Sequence, residues 1–261
     1  MCRVPERGIS ALVNTDLLLI AAGVLAGAMN ALAGGGSFVS LPALMAVGLS
    51  PVAANASSSL ALYPGGAVST WVYREGLVPI AAVPLRWMAA VSAAGGLAGG
   101  ILLLATPQAL FVQALPWLLL LASLALAFGR GITARVHGWS GASGPAILGG
   151  QLVLGIYGGY FGGAVGIMMM AFWSLATREE LKRLQGLRTL LVTAANTAAV
   201  ILFALAGAVG WREVAILAPS AMVGGYLGAL LGIRLSPALV RAATLALAFF
   251  VTAAFFIKAY G

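Results

Sequence analysis

The chain has one cysteine, Cys2, so no intramolecular disulfide can form, and one histidine, His137, which argues against a metal centre or a histidine relay. Neither a metal nor a cofactor is expected. Acidic residues number only six, Glu6, Asp16, Glu75, Glu179, Glu180 and Glu213, and all stand at the ends of apolar segments or between them. No buried carboxylate relay or cation site is therefore visible, which disfavours cation transport. Intramembrane proteolysis would need a nucleophile–base pair or paired intramembrane aspartates, and the sequence supplies neither; an enzyme is not expected. The run Met168-Met169-Met170 lacks a companion cysteine or histidine and reads as adaptable packing.

What is present is hydrocarbon. The 261 residues are 62% hydrophobic and only 8% charged, a balance that excludes a water-soluble globule. Apolar segments at 17–49, 52–73, 79–104, 108–128, 145–177, 186–209, 211–233 and 237–258 are joined by short polar stretches. The reading is an all-α polytopic protein of the bacterial inner membrane, with lipid as its surroundings and an oligomer compatible with the composition. The net charge of +8 comes from single Arg and Lys residues in the joints, where they orient helices, so nucleic acid is not an expected partner. Met1 to Thr15 reads as a short tail without a cleavage signal.

Small residues repeat. Gly23, Gly27 and Gly34 recur as Gly155, Gly159 and Gly166, and Gly95, Gly96 and Gly99 recur as Gly224, Gly225 and Gly228. Thr106-Pro107 recurs as Ser236-Pro237, each pair suited to open a helix. This order predicts one membrane domain over residues 1–261 with two related halves, repeat one at 16–129 and repeat two at 145–259, around a central loop at 130–144. Gly95, Gly99, Gly224 and Gly228 suit close helix packing.

The first and fifth segments are too long for single spans. Each covers 33 residues, which as a straight helix would run about 50 Å against a hydrocarbon core of about 30 Å. Gly34-Gly35-Gly36-Ser37 would break the first, and Gly158, Gly159, Gly162, Gly163 and Gly166 the fifth. If each broken or re-entrant segment makes no net crossing, Arg74, Arg86, Arg130, Arg135, Arg178, Lys182, Arg183, Arg188, Arg234 and Arg241 share one side. Arg3, Arg7, Arg212 and Lys258 share the other. That ten-to-four split makes the first side cytoplasmic, puts both termini outside and makes the halves inverted repeats.

A helix restarted inside a membrane presents unpaired amides that suit an anion. Candidate binding residues around the first break are Asn30, Gly34, Gly35, Gly36 and Ser37, the last a potential cap, with Asn55, Ser57 and Ser58 in the next segment. The second half offers Gly163, Gly166, Arg188, Thr189 and Asn196. For Arg188, holding an anion competes with snorkelling of its stem towards the membrane surface; for each serine, the competing role is a bond to its own helix.

The stretch Gly27 to Ser59, GAMNALAGGGSFVSLPALMAVGLSPVAANASSS, resembles the sulfite exporter TauE/SafE family, whose pattern is a glycine-rich break, Pro-x-Leu, a small turn and Ala-x-x-Ser/Thr-Ser. The resemblance places the family's break on Gly34, Gly35 and Gly36, its proline on Pro42 and its hydroxyl pair on Ser57 and Ser58. The second half departs from the pattern: Gly166-Ile167-Met168-Met169 replaces the glycine triplet, Ser174 replaces the proline, and Arg188-Thr189 keeps the polar signature. The resemblance implies a permease for small inorganic or organic anions, members being associated with sulfite, thiosulfate and sulfonates. Three readings stay open: a secondary transporter with alternating access, an hourglass-shaped passive channel, and a membrane assembly protein without substrate.

Overall fold

The computed structural model describes residues 6–72, 77, 83–135, 143–176, 181–232 and 236–261. Cys2, Arg74, Glu75, His137, Arg178, Glu179, Glu180 and Arg234 lie outside them. The described residues form ten helices: α1 (Glu6–Ala33), α2 (Ser37–Ala46), α3 (Pro51–Val72), α4 (Leu85–Ala105), α5 (Gln108–Arg135), α6 (Gly144–Tyr160), α7 (Val165–Ala176), α8 (Leu181–Leu205), α9 (Trp211–Gly232) and α10 (Pro237–Tyr260). The protein is all-helical, with both long apolar segments interrupted. Helices overrun the apolar segments where water can solvate them: α1 starts at Glu6 within the expected tail, and α5 runs through Arg130 to Arg135, into the expected central loop. Hydropathy marks the bilayer and not the end of the hydrogen-bonded ladder.

Among the described residues, stretches long and apolar enough to cross a bilayer occur in five helices, at Asn14–Leu32, Leu85–Ala105, Gln108–Phe128, Gly186–Leu205 and Ala238–Tyr260. Leu25, Ile101, Leu121, Ile201 and Phe250 are among the many large apolar side chains exposed to the surroundings. Ser236 caps α10, its Oγ accepting from the Leu239 amide at 3.3 Å, with Pro237 behind it. Thr106 instead donates back to Leu102 O at 2.6 Å, closing α4 rather than opening α5.

Six helices touch in a row, α1, α9, α3, α8, α4, α6, with α2 and α7 against the row and α5 crossing α10 beyond them. Glycine permits the closest contacts. A Cβ on Gly27 would overlap Ala221 O, one on Gly224 would overlap Val24 O, and one on Gly96 would overlap Ala195 O. Backbone therefore lies on backbone at α1–α9, α4–α6 and α4–α8, which confirms the packing role of Gly95, Gly99, Gly224 and Gly228. These contacts also fix direction. Gly23 faces Leu217 while Gly228 faces Ala28, so α1 and α9 run parallel; Gly95 faces Leu152 while Gly99 faces Tyr160, so α4 and α6 do too. The pairs Tyr63–Thr197 and Thr70–Thr193 make α3 and α8 antiparallel, and Trp117–Tyr260 and Ser123–Thr252 do the same for α5 and α10.

Each interrupted segment returns to the end of the bundle from which it left. Asp16 of α1 accepts from Arg212 at 2.7 Å, and Leu49, just after α2, packs on Gly210, two residues before Arg212. At the opposite end Ile147 of α6, Trp173 of α7, Leu184 of α8 and Met88 of α4 share one buried cluster.

Candidate functional site

Both interruptions are built on left-handed backbone. The first has Gly34 at φ +75°, and the second has Gly162 at φ +77° and Ala164 at φ +55°. Glycine adopts such angles freely, whereas alanine there is strained by about 1–2 kcal/mol. The second break is thus Phe161 to Ala164; Gly158 and Gly159 are still in α6, and Gly166 is already in the first turn of α7. Glycine spacing alone could not find Ala164, because that residue type is ordinarily a helix former.

The amides after each break are the donors available to a ligand. Gly34 N donates to Met29 O and Asn30 O, and Phe38 N, Val39 N and Ser40 N donate to Gly35 O or Gly36 O. Among the described residues no backbone partner is recorded for the amides of Gly35, Gly36 and Ser37, nor for those of Gly163, Ala164, Val165 and Gly166. The α2 N-cap is Gly36 and makes no side-chain bond, so Ser37 is the first helical residue rather than the cap.

The two breaks approach each other against α3 and α8. A Cβ on Gly34 would meet only Ile167 Cδ1 of α7, at 4.0 Å. One on Gly36 would meet Asn30 Cβ and Leu62 Cδ1, each at 3.0 Å, and one on Gly166 would meet the Arg188 stem at 3.2 Å and Val192 at 3.4 Å. Leu62 and Val192 stand 130 positions apart, and each break leans on the helix that follows its own interrupted segment, α3 for the first and α8 for the second. Leu62 lies midway along α3, which sets the first break near the middle of the bundle. Arg188 sits half-buried on α8 with its aliphatic stem over Gly166.

Several candidate side chains serve the fold. Asn55 is buried and its Nδ2 donates to Tyr160 O at 2.9 Å, holding the carbonyl end of α6 at the break. Buried Ser57 accepts from Gly210 N at 2.9 Å, tying α3 to the turn before α9. Thr189 donates to Gly186 O at 2.8 Å. Ser58 pairs with Ser40 at 2.6 Å, and Ser40 in turn bonds Gly36 O at 3.2 Å, so a hydroxyl pair supports the first break from beneath. Asn196 is half-buried on α8, between Thr193 and Thr197. Ser40, Tyr63, Thr193 and Thr197 escaped the sequence reading because a lone hydroxyl in an apolar helix usually bonds its own backbone. Gln151 escaped it too: fully buried, it donates to Ser92 at 2.8 Å and accepts from Trp173 Nε1 at 3.1 Å, clamping α7 to α6 and α4.

With this geometry in place, comparison with known proteins adds the lineage. The family model described as sulfite exporter TauE/SafE matches residues 19–255. A relative in Escherichia coli K12, probable membrane transporter protein YfcA, is 31% identical over 216 residues, covering 81% of this chain and 77% of the relative. A probable membrane transporter protein of Haemophilus influenzae is 29% identical over 251 residues, covering 92% and 95%, and a probable membrane transporter protein ORF9 of a Sinorhizobium species is 29% identical over 221 residues, covering 83% and 81%. No solved structure matches.

Proposed function

This chain belongs to the sulfite exporter TauE/SafE family of multi-pass membrane transporters, and from that premise we propose that it is a secondary transporter for a small sulfur-containing anion of the sulfite, thiosulfate or organosulfonate kind. The observation that carries the reading is the pair of breaks, each with successive amides that lack backbone partners among the described residues, approaching each other beside the Arg188 stem. Unpaired amides at a helix start supply partial positive charge, and a guanidinium adds a planar fork of donors that matches an oxyanion. Asn30, Gly34, Gly35, Gly36, Ser37, Gly163, Gly166, Arg188 and Asn196 are the proposed lining, and Asn55, Ser57, Ser58 and Thr189 hold it in shape. No carboxylate of the described residues stands among them to repel an anion.

The proposed cycle is alternating access between two inverted repeats, 16–129 and 145–259, in one membrane domain. Contacts that exchange when the halves are swapped support it: α1–α9 matches α6–α4, and α9–α3 matches α4–α8. Ser123 and Thr252, 129 positions apart, meet at 3.1 Å where α5 crosses α10, as equivalent residues do on a two-fold axis. The return of α1–α2 and α6–α7 to their starting ends leaves three net crossings per half, which inverts the second half. The ten-charge end then faces the cytoplasm of a bacterial inner membrane. Both termini are expected outside it: a C-terminal fluorescent fusion should stay dark while a periplasmic reporter at the same place is active, and the reverse pattern overturns the inversion.

Flux decides the function. Proteoliposomes holding the purified protein should take up sulfur-radiolabelled sulfite saturably, and an imposed proton gradient should change the initial rate. Saturable uptake that follows the gradient supports a secondary transporter, uptake linear in concentration and blind to the gradient replaces it with the channel reading, and no uptake of sulfite, thiosulfate or methanesulfonate overturns the substrate class.

A further inference from the structure

The seam where α3 crosses α8 holds four hydroxyl side chains, and their protons can be assigned. Thr197 donates to Thr193 O at 2.7 Å, so across the seam its Oγ1 is the acceptor and the Tyr63 O–H donates to it at 2.9 Å. Thr70 likewise donates to Gly66 O at 3.0 Å, so the Thr193 O–H donates to Thr70 Oγ1 at 3.0 Å. Two hydroxyls are thus tied to their own helices and two reach across. The two that reach across, Tyr63 and Thr193, are separated by 130 positions, the repeat spacing, and are equivalent residues of the two halves.

Their neighbours place them at the depth of the breaks. Tyr63 follows Leu62, which touches Gly36, and Thr193 follows Val192, which touches Gly166. Gly66 faces Thr193, whose Oγ1 stands 3.3 Å from where a Cβ on that glycine would be, so the seam has no side chain of its own there. Tyr63, Thr70, Thr193 and Thr197 are all half-buried rather than buried. Polar side chains at membrane depth are as a rule turned towards the bundle interior or a cavity rather than lipid.

We propose that Tyr63 and Thr193 are a symmetric pair of substrate donors, each turning its O–H from the hydroxyl across the seam to the anion seated between the breaks. This rests on the anion reading above and names side-chain donors for the same site. Each switch gives up the seam bond and redirects the proton by rotation about its C–O bond. A bond to charge is roughly twice as strong as one between neutral hydroxyls, so the anion wins the competition. Both donors sit at equivalent places, so the contact survives when the halves exchange roles across the cycle.

The test uses Tyr63→Phe, Thr193→Val and Thr193→Ser in proteoliposomes with sulfite as probe, normalised to reconstituted protein. Phe and Val remove a donor at nearly constant shape; Ser keeps it. We expect Tyr63→Phe and Thr193→Val each to raise the apparent KM for sulfite about five- to tenfold, with the maximal rate within about twofold of wild type, and Thr193→Ser to stay near wild type. Sulfite-dependent thermal stabilisation of the detergent-solubilised protein, which needs no turnover, should shift to higher sulfite by the same factor. Unchanged KM in both donor-less variants, or a changed maximal rate alone, makes the seam a mechanical clasp and overturns the proposal. If wild type itself shows no uptake of, and no stabilisation by, sulfite, thiosulfate or methanesulfonate, the anion reading fails and this inference with it; normal wild-type uptake with unaffected variants removes only the donors.

Discussion

Replacing Gly96 by valine should leave almost no folded protein in detergent. Gly96 is buried where α4 meets two helices at once: a Cβ there would overlap Ala195 O of α8, while a Cβ on Gly159 of α6 would overlap Gly96 O. The obstacle is backbone, which cannot rotate away as a side-chain tip can. Overpacking an interior by a methylene or two costs about 1–3 kcal/mol and occasionally more; with the backbones of α4 and α8 forced apart, and α4 held from behind by α6, the cost should reach at least the upper end of that range. Even alanine should lower the melting temperature markedly. Gly149→Ala is the control: Gly149 is exposed on α6 with nothing within 4 Å of an added Cβ, so alanine should be neutral or stabilise by up to about 1 kcal/mol. Size-exclusion profiles and thermal unfolding of the three chains report the result. A monodisperse Gly96→Val protein of wild-type stability would mean that α4, α6 and α8 do not pack as described.

Gly34→Leu should abolish transport while the protein still folds. Gly34 is left-handed, so any substituted side chain costs about 1–2 kcal/mol of backbone strain, yet the space beside it is open except for Ile167 of α7. Leucine would project into the gap between the two breaks, where the anion is proposed to sit. Gly35 is a poorer probe, since it is buried with Phe38, Met29 and Thr244 all within 3.7 Å of an added Cβ, and a large side chain there confuses blockage with unfolding. Gly48→Leu isolates the strain: Gly48 has φ +102° and nothing within 4 Å, and it lies after α2, away from the gap. Sulfite uptake should fall to background in Gly34→Leu and persist in Gly48→Leu at equal protein. Equal uptake in the two would show that the gap between the breaks is not the path.

Much of the architecture was legible beforehand because its causes are local. Gly34 to Gly36 announce a break by composition, since three successive glycines oppose a helix whatever surrounds them. The second break was only half legible. Its glycines were visible, but Ala164 takes a left-handed angle that alanine does not choose, and only the surrounding packing holds it there. Gly95 and Gly224 read as packing residues from spacing, yet which helix each would touch was not in the spacing.

The candidate site divides along the same line. Residue type and depth marked Asn55, Ser57, Ser58, Arg188 and Thr189 as polar groups that need partners, because a bilayer offers them no water. Their partners lie far off in sequence: Tyr160 for Asn55, Gly210 for Ser57, Ser40 for Ser58. Tyr63 and Thr193 gave no signal at all, since what sets them apart is the crossing of α3 and α8 and the prior commitment of Thr70 and Thr197 to their own carbonyls. The sequence by itself determined the solvent, the helices and the first break, all of which follow from transfer free energy and backbone preference summed over neighbouring residues. Only the tertiary structure decided which amides and hydroxyls remain to meet a ligand, because a hydrogen bond formed between helices depends on where two backbones cross, and that is set by the packing of the whole bundle.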